Sequence, residues 1–301
     1  MATMTVSSSP LARARTYASF VRFEHTLFSL PLIVAGAFSA AGPALTAARW
    51  ALIAVAAVGA RTAALALNRL IDRRLDALNP RTRVRELPSG AMRLGEAWTL
   101  LAVAILIYLA ACAALGPWYL AMAVIPLAVF TGYPYLKRFT PFCHFGVGLA
   151  LALAPLAGYA AAHPDLGHAA VAWWLAAFAL CWVSGFDIIY ATLDEAFDRA
   201  HGVRSMVAWL GRARALRVSA LLHVAAFACA AFAGFGALRA TGHWALWGAP
   251  ATGELLALVG LLLLIEQRAS ANVDLAFFKV NVWVGFVVLA MILVARAAGG
   301  F

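Results

Sequence analysis

Two short polar runs in an otherwise apolar chain have the residue types and spacing for cation chemistry: Asn68, Asp72 and Asp76 in the first, Tyr190, Asp194 and Asp198 in the second. Helical positions four residues apart are offset by only about 40°, so each run is expected to present its polar groups on one helix face. Six of the thirteen acidic residues (Asp72, Asp76, Asp187, Asp194, Glu195 and Asp198) fall in these runs or just before them. Ionised carboxylates in membrane-embedded helices are costly unless paired or metal-bound, so their concentration points to a divalent cation. Mg²⁺ suits such a site, because it is commonly held by a few carboxylates together with phosphate oxygens and water.

The elements that must position these groups are membrane helices. Of 301 residues, 64% are hydrophobic and only 12% charged, where a soluble domain carries roughly a quarter of its residues as charges. Mean hydropathy is +0.87. Nine stretches are expected to span a bilayer, at about 24–42, 48–68, 97–115, 117–135, 142–162, 169–191, 213–236, 249–267 and 278–297, each near the length that crosses ~30 Å of hydrocarbon. The expectation is one all-α membrane domain over 1–301, with residues 1–20 as a flexible tail. Met1 to Pro10 lacks the charged start and apolar core of a signal peptide.

Lysine and arginine in short loops favour the cytoplasmic side. With the N-terminus inside, nineteen of the 23 basic residues fall on that side, three (Arg49, Arg239, Arg296) on the other, and Arg61 within a helix. Both acidic runs then lie at cytoplasmic helix ends, where they can face one another, and a bacterial-type cytoplasmic membrane is the expected location. The net charge of +10 is accounted for by this topology, and without an aromatic-interleaved basic patch it does not point to nucleic acid. Cys112, Cys143, Cys181 and Cys229 are isolated in apolar stretches, as packing residues are.

Between the acidic runs lie Arg81, Arg83 and Arg85 beside the turn signals Asn79-Pro80 and Leu87-Pro88-Ser89-Gly90, and then Tyr133-Pro-Tyr135-Leu-Lys137-Arg138. In order and spacing, these four motifs, with Gly202 and Ser205 closing the last, resemble the UbiA superfamily of membrane aromatic prenyltransferases over essentially the whole chain. The resemblance is nearest to 4-hydroxybenzoate polyprenyltransferases and to their relatives in the futalosine route to menaquinone. The runs Glu24 to Pro31, Ala66 to Asp72 and Gly185 to Tyr190 are more similar to the second group, and His25-Thr26 stands where Lys-Pro commonly follows the acid in the first.

The resemblance implies transfer of a polyprenyl group from an allylic diphosphate to a ring carbon of a hydroxylated aromatic acid, 4-hydroxybenzoate or 1,4-dihydroxy-6-naphthoate, in ubiquinone or menaquinone biosynthesis. Ionisation of the donor is assisted where Mg²⁺ and cationic side chains neutralise the leaving diphosphate. Asn68, Asp72 and Asp76 would hold one Mg²⁺, and Asp194 with Asp198 another. Arg81, Arg85, Lys137 and Arg138 would grip the diphosphate, and Tyr190 would orient a carboxylate or a diphosphate oxygen. The catalytic set is thus Asp72, Asp76, Asp194, Asp198 and Lys137. Arg22 is a candidate for the acceptor carboxylate or a topology anchor. Asp187 is open to metal contact, acceptor positioning or a bridge to Arg61. Glu195 is expected to pair with Arg199. The alternatives are another UbiA-type transferase with a haem, chlorophyll or lipid acceptor, and an isoprenoid or phosphate transporter using the same cavity.

Overall fold

In the computed structural model, the described residues are 10–22, 26–39, 45–163, 166–240, 248–271 and 280–298. They form thirteen α-helices: α1 Pro10–Phe20, α2 Thr26–Ala37, α3 Ala47–Leu78, α4 Leu94–Leu115, α5 Pro117–Met122, α6 Val124–Leu136, α7 Cys143–Ala162, α8 Ala170–Ala191, α9 Glu195–Ala200, α10 Met206–Leu210, α11 Arg212–Ala240, α12 Gly248–Arg268 and α13 Asn281–Ala297. Among the described residues, seven spans are long and apolar enough to cross a membrane: α3, α4, α5 with α6, α7, α8, α11 and α12. The shorter helices α2 and α13 occupy the other two expected stretches. Glu24, His25 and Lys279 lie outside the described residues.

Several boundaries differ from the sequence reading for identifiable reasons. The expected 117–135 helix is broken after Met122, because Pro126 lacks an N–H and its ring crowds the carbonyl four residues back. The helix expected to end at 68 continues to Leu78, stopping just before Asn79-Pro80, where the residue preceding a proline is driven out of helical geometry. Residues 10–20, expected within the flexible tail, form α1 instead. Its Phe20 is fully buried and joins Ala63, Ala66, Leu70, Ala97 and Leu101 of α3 and α4 in one apolar cluster, while Arg13 forms an ion pair with Glu96.

The central helix is α8, whose Leu175, Phe178, Ala179 and Trp182 are buried among side chains of α7, α11 and α13. Between α2 and α7 the backbones nearly touch. A Cβ on Gly36 would lie 2.0 Å from the Pro155 carbonyl oxygen, and one on Gly158 would lie 1.8 Å from that of Ile33. Two glycines facing each other's helix permit this approach, as small residues do between membrane helices. On the outside, Leu106, Val124, Leu221, Val224 and Trp283 are each more than 60% exposed, a surface suited to lipid and not to water.

Candidate active site

The end of α3 carries the first acidic run as expected. Asp72 is 1% exposed, and Lys137, at the end of α6, places Nζ 2.5 Å from its Oδ2. Asn68 Nδ2 donates to the same oxygen at 3.1 Å. The other oxygen of Asp72, Oδ1, is buried with no hydrogen-bond partner. One turn on, Arg85 Nη1 donates to both oxygens of Asp76, at 2.8 and 2.9 Å.

The second run does not share one helix face, which corrects the sequence reading. Tyr190 is on α8, but that helix ends at Ala191, Asp194 is the residue preceding α9 with φ −108° and ψ 6°, and Asp198 lies within α9. Thr192 helps to end α8 by donating its hydroxyl to the Ile189 carbonyl at 2.7 Å, a side-chain bond that competes with helix continuation. Asp194 does not cap α9 with its carboxylate, because that group is engaged across the site. Arg81 Nε donates to its Oδ1 at 2.9 Å and Nη2 to its Oδ2, and Asn79 Nδ2 adds a third bond at 2.8 Å. Arg81 Nη1 donates to the Tyr190 hydroxyl at 2.6 Å, with the guanidinium carbon 4.8 Å from the ring centroid. The loop after α3 is thereby joined to the segment after α8, and the two acidic runs meet at one end of the bundle.

Asp198 is buried and accepts a bond from Ser205 at 2.7 Å. Ser205 in turn accepts from Ala208 N–H at 3.1 Å as the cap of α10. The Arg204 N–H donates to the Lys137 carbonyl at 2.7 Å, tying the second run to the lysine that serves the first. Glu195 and Arg199 pair at 2.9 Å, as their spacing suggests.

The two carboxyls of this segment titrate in opposite directions. Burial alone would raise Asp194, but the bonds from Arg81 and Asn79 outweigh it and hold the group below the ordinary carboxylate range. The same contacts raise Arg81, against the effect of its own burial. Asp198 is pushed up to about 6, first by burial and then by the neighbouring Asp194 charge, with Ser205 opposing the rise.

Between α2, α3, α4, α5, α6, α7 and α8 lies an apolar cavity of about 490 Å³, whose polar lining includes Ser29, Arg61, Tyr133 and Asp187. Asp187 does not form the bridge to Arg61; its ion-pair partner is a histidine. Its Oδ2 is 2.6 Å from Nδ1 of His144, a residue 2% exposed. Nε2 of His144 accepts the Met206 N–H at 3.3 Å, which leaves Nδ1 as the proton-bearing nitrogen that donates to Asp187. Arg61 has its Nε buried and unbonded.

Not every expected residue joins this assembly. Arg22 lies between α1 and α2 at φ 43° and does not line the cavity. Arg138 donates to the Ile71 carbonyl at 2.9 Å and stacks over Tyr135, without an ion pair to any of the four acids. In the sequence Asn79 stands out only as a turn residue before proline and Ser205 only as the close of the last motif, and the spacing of His144 from Asp187 carries no helical signal.

The donor set fits a hard divalent cation. Both acid pairs offer oxygen alone, the buried Asp72 Oδ1 lacks a partner, and Asp198 is buried with Ser205 donating to one of its oxygens. Among the described residues no three His, Cys, Asp or Glu side chains converge on one point, so any such ion would complete its shell with water and ligand oxygens.

Fold and site together define a polytopic helical membrane protein with acids and cations gathered at one end of the bundle and an apolar cavity within it. Residues 29–283 match the UbiA prenyltransferase family; the chain belongs to that family and is a prenyltransferase. It is 30% identical over 243 residues, 79% of its length and 81% of the relative's, to a 4-hydroxybenzoate octaprenyltransferase of Shewanella denitrificans. The apo structure of a UbiA homologue from Aeropyrum pernix superposes with a TM-score of 0.79 at 36% identity, covering 90% of this chain and 98% of that one. A UbiA homologue from Archaeoglobus fulgidus, bound to GPP and Mg²⁺, shares the fold with a TM-score of 0.66 at 17% identity, over 95% of this chain and 100% of that one.

Proposed function

We propose that the chain transfers a polyprenyl group from an allylic diphosphate to a ring carbon of a hydroxylated aromatic acid, 4-hydroxybenzoate or 1,4-dihydroxy-6-naphthoate. The carrying observation is the meeting of four buried or half-buried carboxylates with Arg81, Arg85 and Lys137 at one end of a bundle that also holds an apolar cavity. Three of these acids now neutralise the three cations. Asn68, Asp72 and Asp76 would hold one Mg²⁺ and Asp194 with Asp198 a second; bound there, Mg²⁺ neutralises the charge that grows on the leaving diphosphate. Released from their acids, Arg81 and Arg85 offer forked donors to diphosphate oxygens and Lys137 a point charge. Tyr190 keeps Arg81 oriented from one side while Asn79 holds its partner acid.

The apolar walls of the cavity exclude water from an allylic cation, and Tyr133 and Phe186 line it, offering ring faces that stabilise positive charge. Asp187, held by His144, lines the same cavity and is placed to accept a hydrogen bond from an acceptor hydroxyl. The unbonded Arg61 Nε is suited to an acceptor carboxylate, a task for which Arg22 is too peripheral. The whole chain is read as one domain with this site on the cytoplasmic side, a reading supported by the distribution of its basic residues.

Purified protein in lipid nanodiscs, given Mg²⁺, geranyl diphosphate and each aromatic acid in turn, tests this. Prenylated product from one acid, lost on chelation and in Asp72→Ala and Asp194→Ala, is expected. Mg²⁺-dependent diphosphate binding without product from either acid would move the acceptor to another class. No such binding would remove the proposed site.

A further inference from the structure

The end of α3 has a second functional face. At about 100° per residue, Leu67, Arg74 and Leu78 lie roughly opposite Asp72. Here α3, the start of α4, the end of α6 and the α9–α10 connection enclose an open groove of about 620 Å³ whose lining contains Arg73, Arg74, Lys137, Arg138 and His201 but no acid. Four cations at this end are paired with acids: Arg81 with Asp194, Arg85 with Asp76, Lys137 with Asp72 and Arg199 with Glu195. Among the described residues no ion pair is made by Arg73, Arg74 or Arg138. Two of the three are nonetheless held in place. Arg73 Nη1 donates to the Leu70 carbonyl at 2.8 Å and Arg138 Nη2 to that of Ile71 at 2.9 Å, and each guanidinium keeps further N–H donors for a ligand.

The groove is also amphiphilic. Leu78 is 61% and Trp98 52% exposed along its edge, and tryptophan is favoured at the level where headgroups meet acyl chains. We infer that this groove binds an acidic phospholipid of the surrounding bilayer, its phosphate on Arg73, Arg74 and Arg138 and its acyl chains along the leucine face of α3 and Trp98. A free inorganic anion would use the arginines but not the apolar wall, whereas a zwitterionic lipid would use the wall and leave the excess positive charge unmet. Unpaired basic pockets between membrane helices recognise anionic headgroups in this way.

The test is binding, independent of catalysis, so its failure is separable from failure of the proposed reaction. Fluorescent phosphatidylglycerol and phosphatidylcholine are titrated onto detergent-solubilised full-length protein. Saturable binding of the acidic lipid, at least about tenfold tighter than the zwitterionic one and weakened by salt, is expected. Arg73→Ala/Arg74→Ala and, separately, Arg74→Glu on the exposed side chain should each weaken it about tenfold or more while geranyl diphosphate affinity stays unchanged. Equal binding of both lipids, or no effect of Arg74→Glu in protein of unaltered Tm, would overturn the inference. So would competitive displacement by geranyl diphosphate, which would assign the groove to the donor, or a dimer in native mass spectrometry that Arg74→Glu dissociates irrespective of lipid, which would assign it to a second copy.

Discussion

The two acidic runs are alike in spacing and unlike in construction. Asn68, Asp72 and Asp76 ride on one uninterrupted helix, so their relative placement is set by α3 alone. Tyr190, Asp194 and Asp198 straddle the junction of α8 and α9, and their placement depends on Thr192, Asn79, Arg81 and Ser205. The same four-residue period thus yields a rigid half and an assembled half. The assembled half can be adjusted by the loop after α3, since Arg81 contacts both α8 and the turn that follows it.

The difference can be broken from either side. The largest effect is expected from Asp72→Ala, which leaves Lys137 without its acid and removes a proposed metal ligand; prenyl transfer should fall by about a thousandfold or more, measured as product per unit time at saturating Mg²⁺. In the assembled half, Arg81→Lys keeps the charge but loses the fork that joins Asp194 to Tyr190, and should lower kcat/KM by about 10- to 100-fold. Restored activity in the lysine variant would show that only charge matters there.

A third test uses pH. Metal ligation needs the Asp198 carboxylate deprotonated, and without metal this group titrates at about 6. Mg²⁺-dependent donor binding should weaken as pH falls through that value, and Asp198→Asn should weaken binding at high pH and flatten the profile. The metal-free protein should show the opposite trend in stability. Because the folded pKa lies above the ordinary carboxylate value, Asp198 contributes stability at low pH that is lost as pH rises from about 4 to about 6. The smallest effect is expected from Thr192→Ala, which removes one side-chain bond at the end of α8 at a cost of about 1 kcal/mol, read as a small drop in Tm with at most a few-fold loss of rate.

The contrast also explains how much was legible in the sequence. Helix-bearing stretches stood out because a bilayer demands long apolar runs, and the acids stood out because charge is scarce in them. Asp72 and Asp76 could be placed on a face because α3 supplies a single period. Asp194 and Asp198 could be identified but not placed, because periodicity does not mark a helix ended by Thr192 with no proline or glycine at hand. The pairing of Asp187 with His144 joins α8 to α7 and is a tertiary fact. The organisation of α1 rests on Phe20 inserting between α3 and α4, a distant contact that a weakly patterned segment gives little sign of.

The 32-residue length of α3 has a further consequence. At ~1.5 Å per residue it extends to nearly 50 Å, beyond the ~30 Å of bilayer hydrocarbon, so its acid-bearing end stands at the boundary between oil and water. In the proposed reaction, inorganic pyrophosphate formed there would depart into the aqueous phase, while the prenylated ring would be retained by its tail in the membrane. Partitioning of the two products into different solvents would oppose the reverse reaction, so that the height of one helix end would give the transfer its direction.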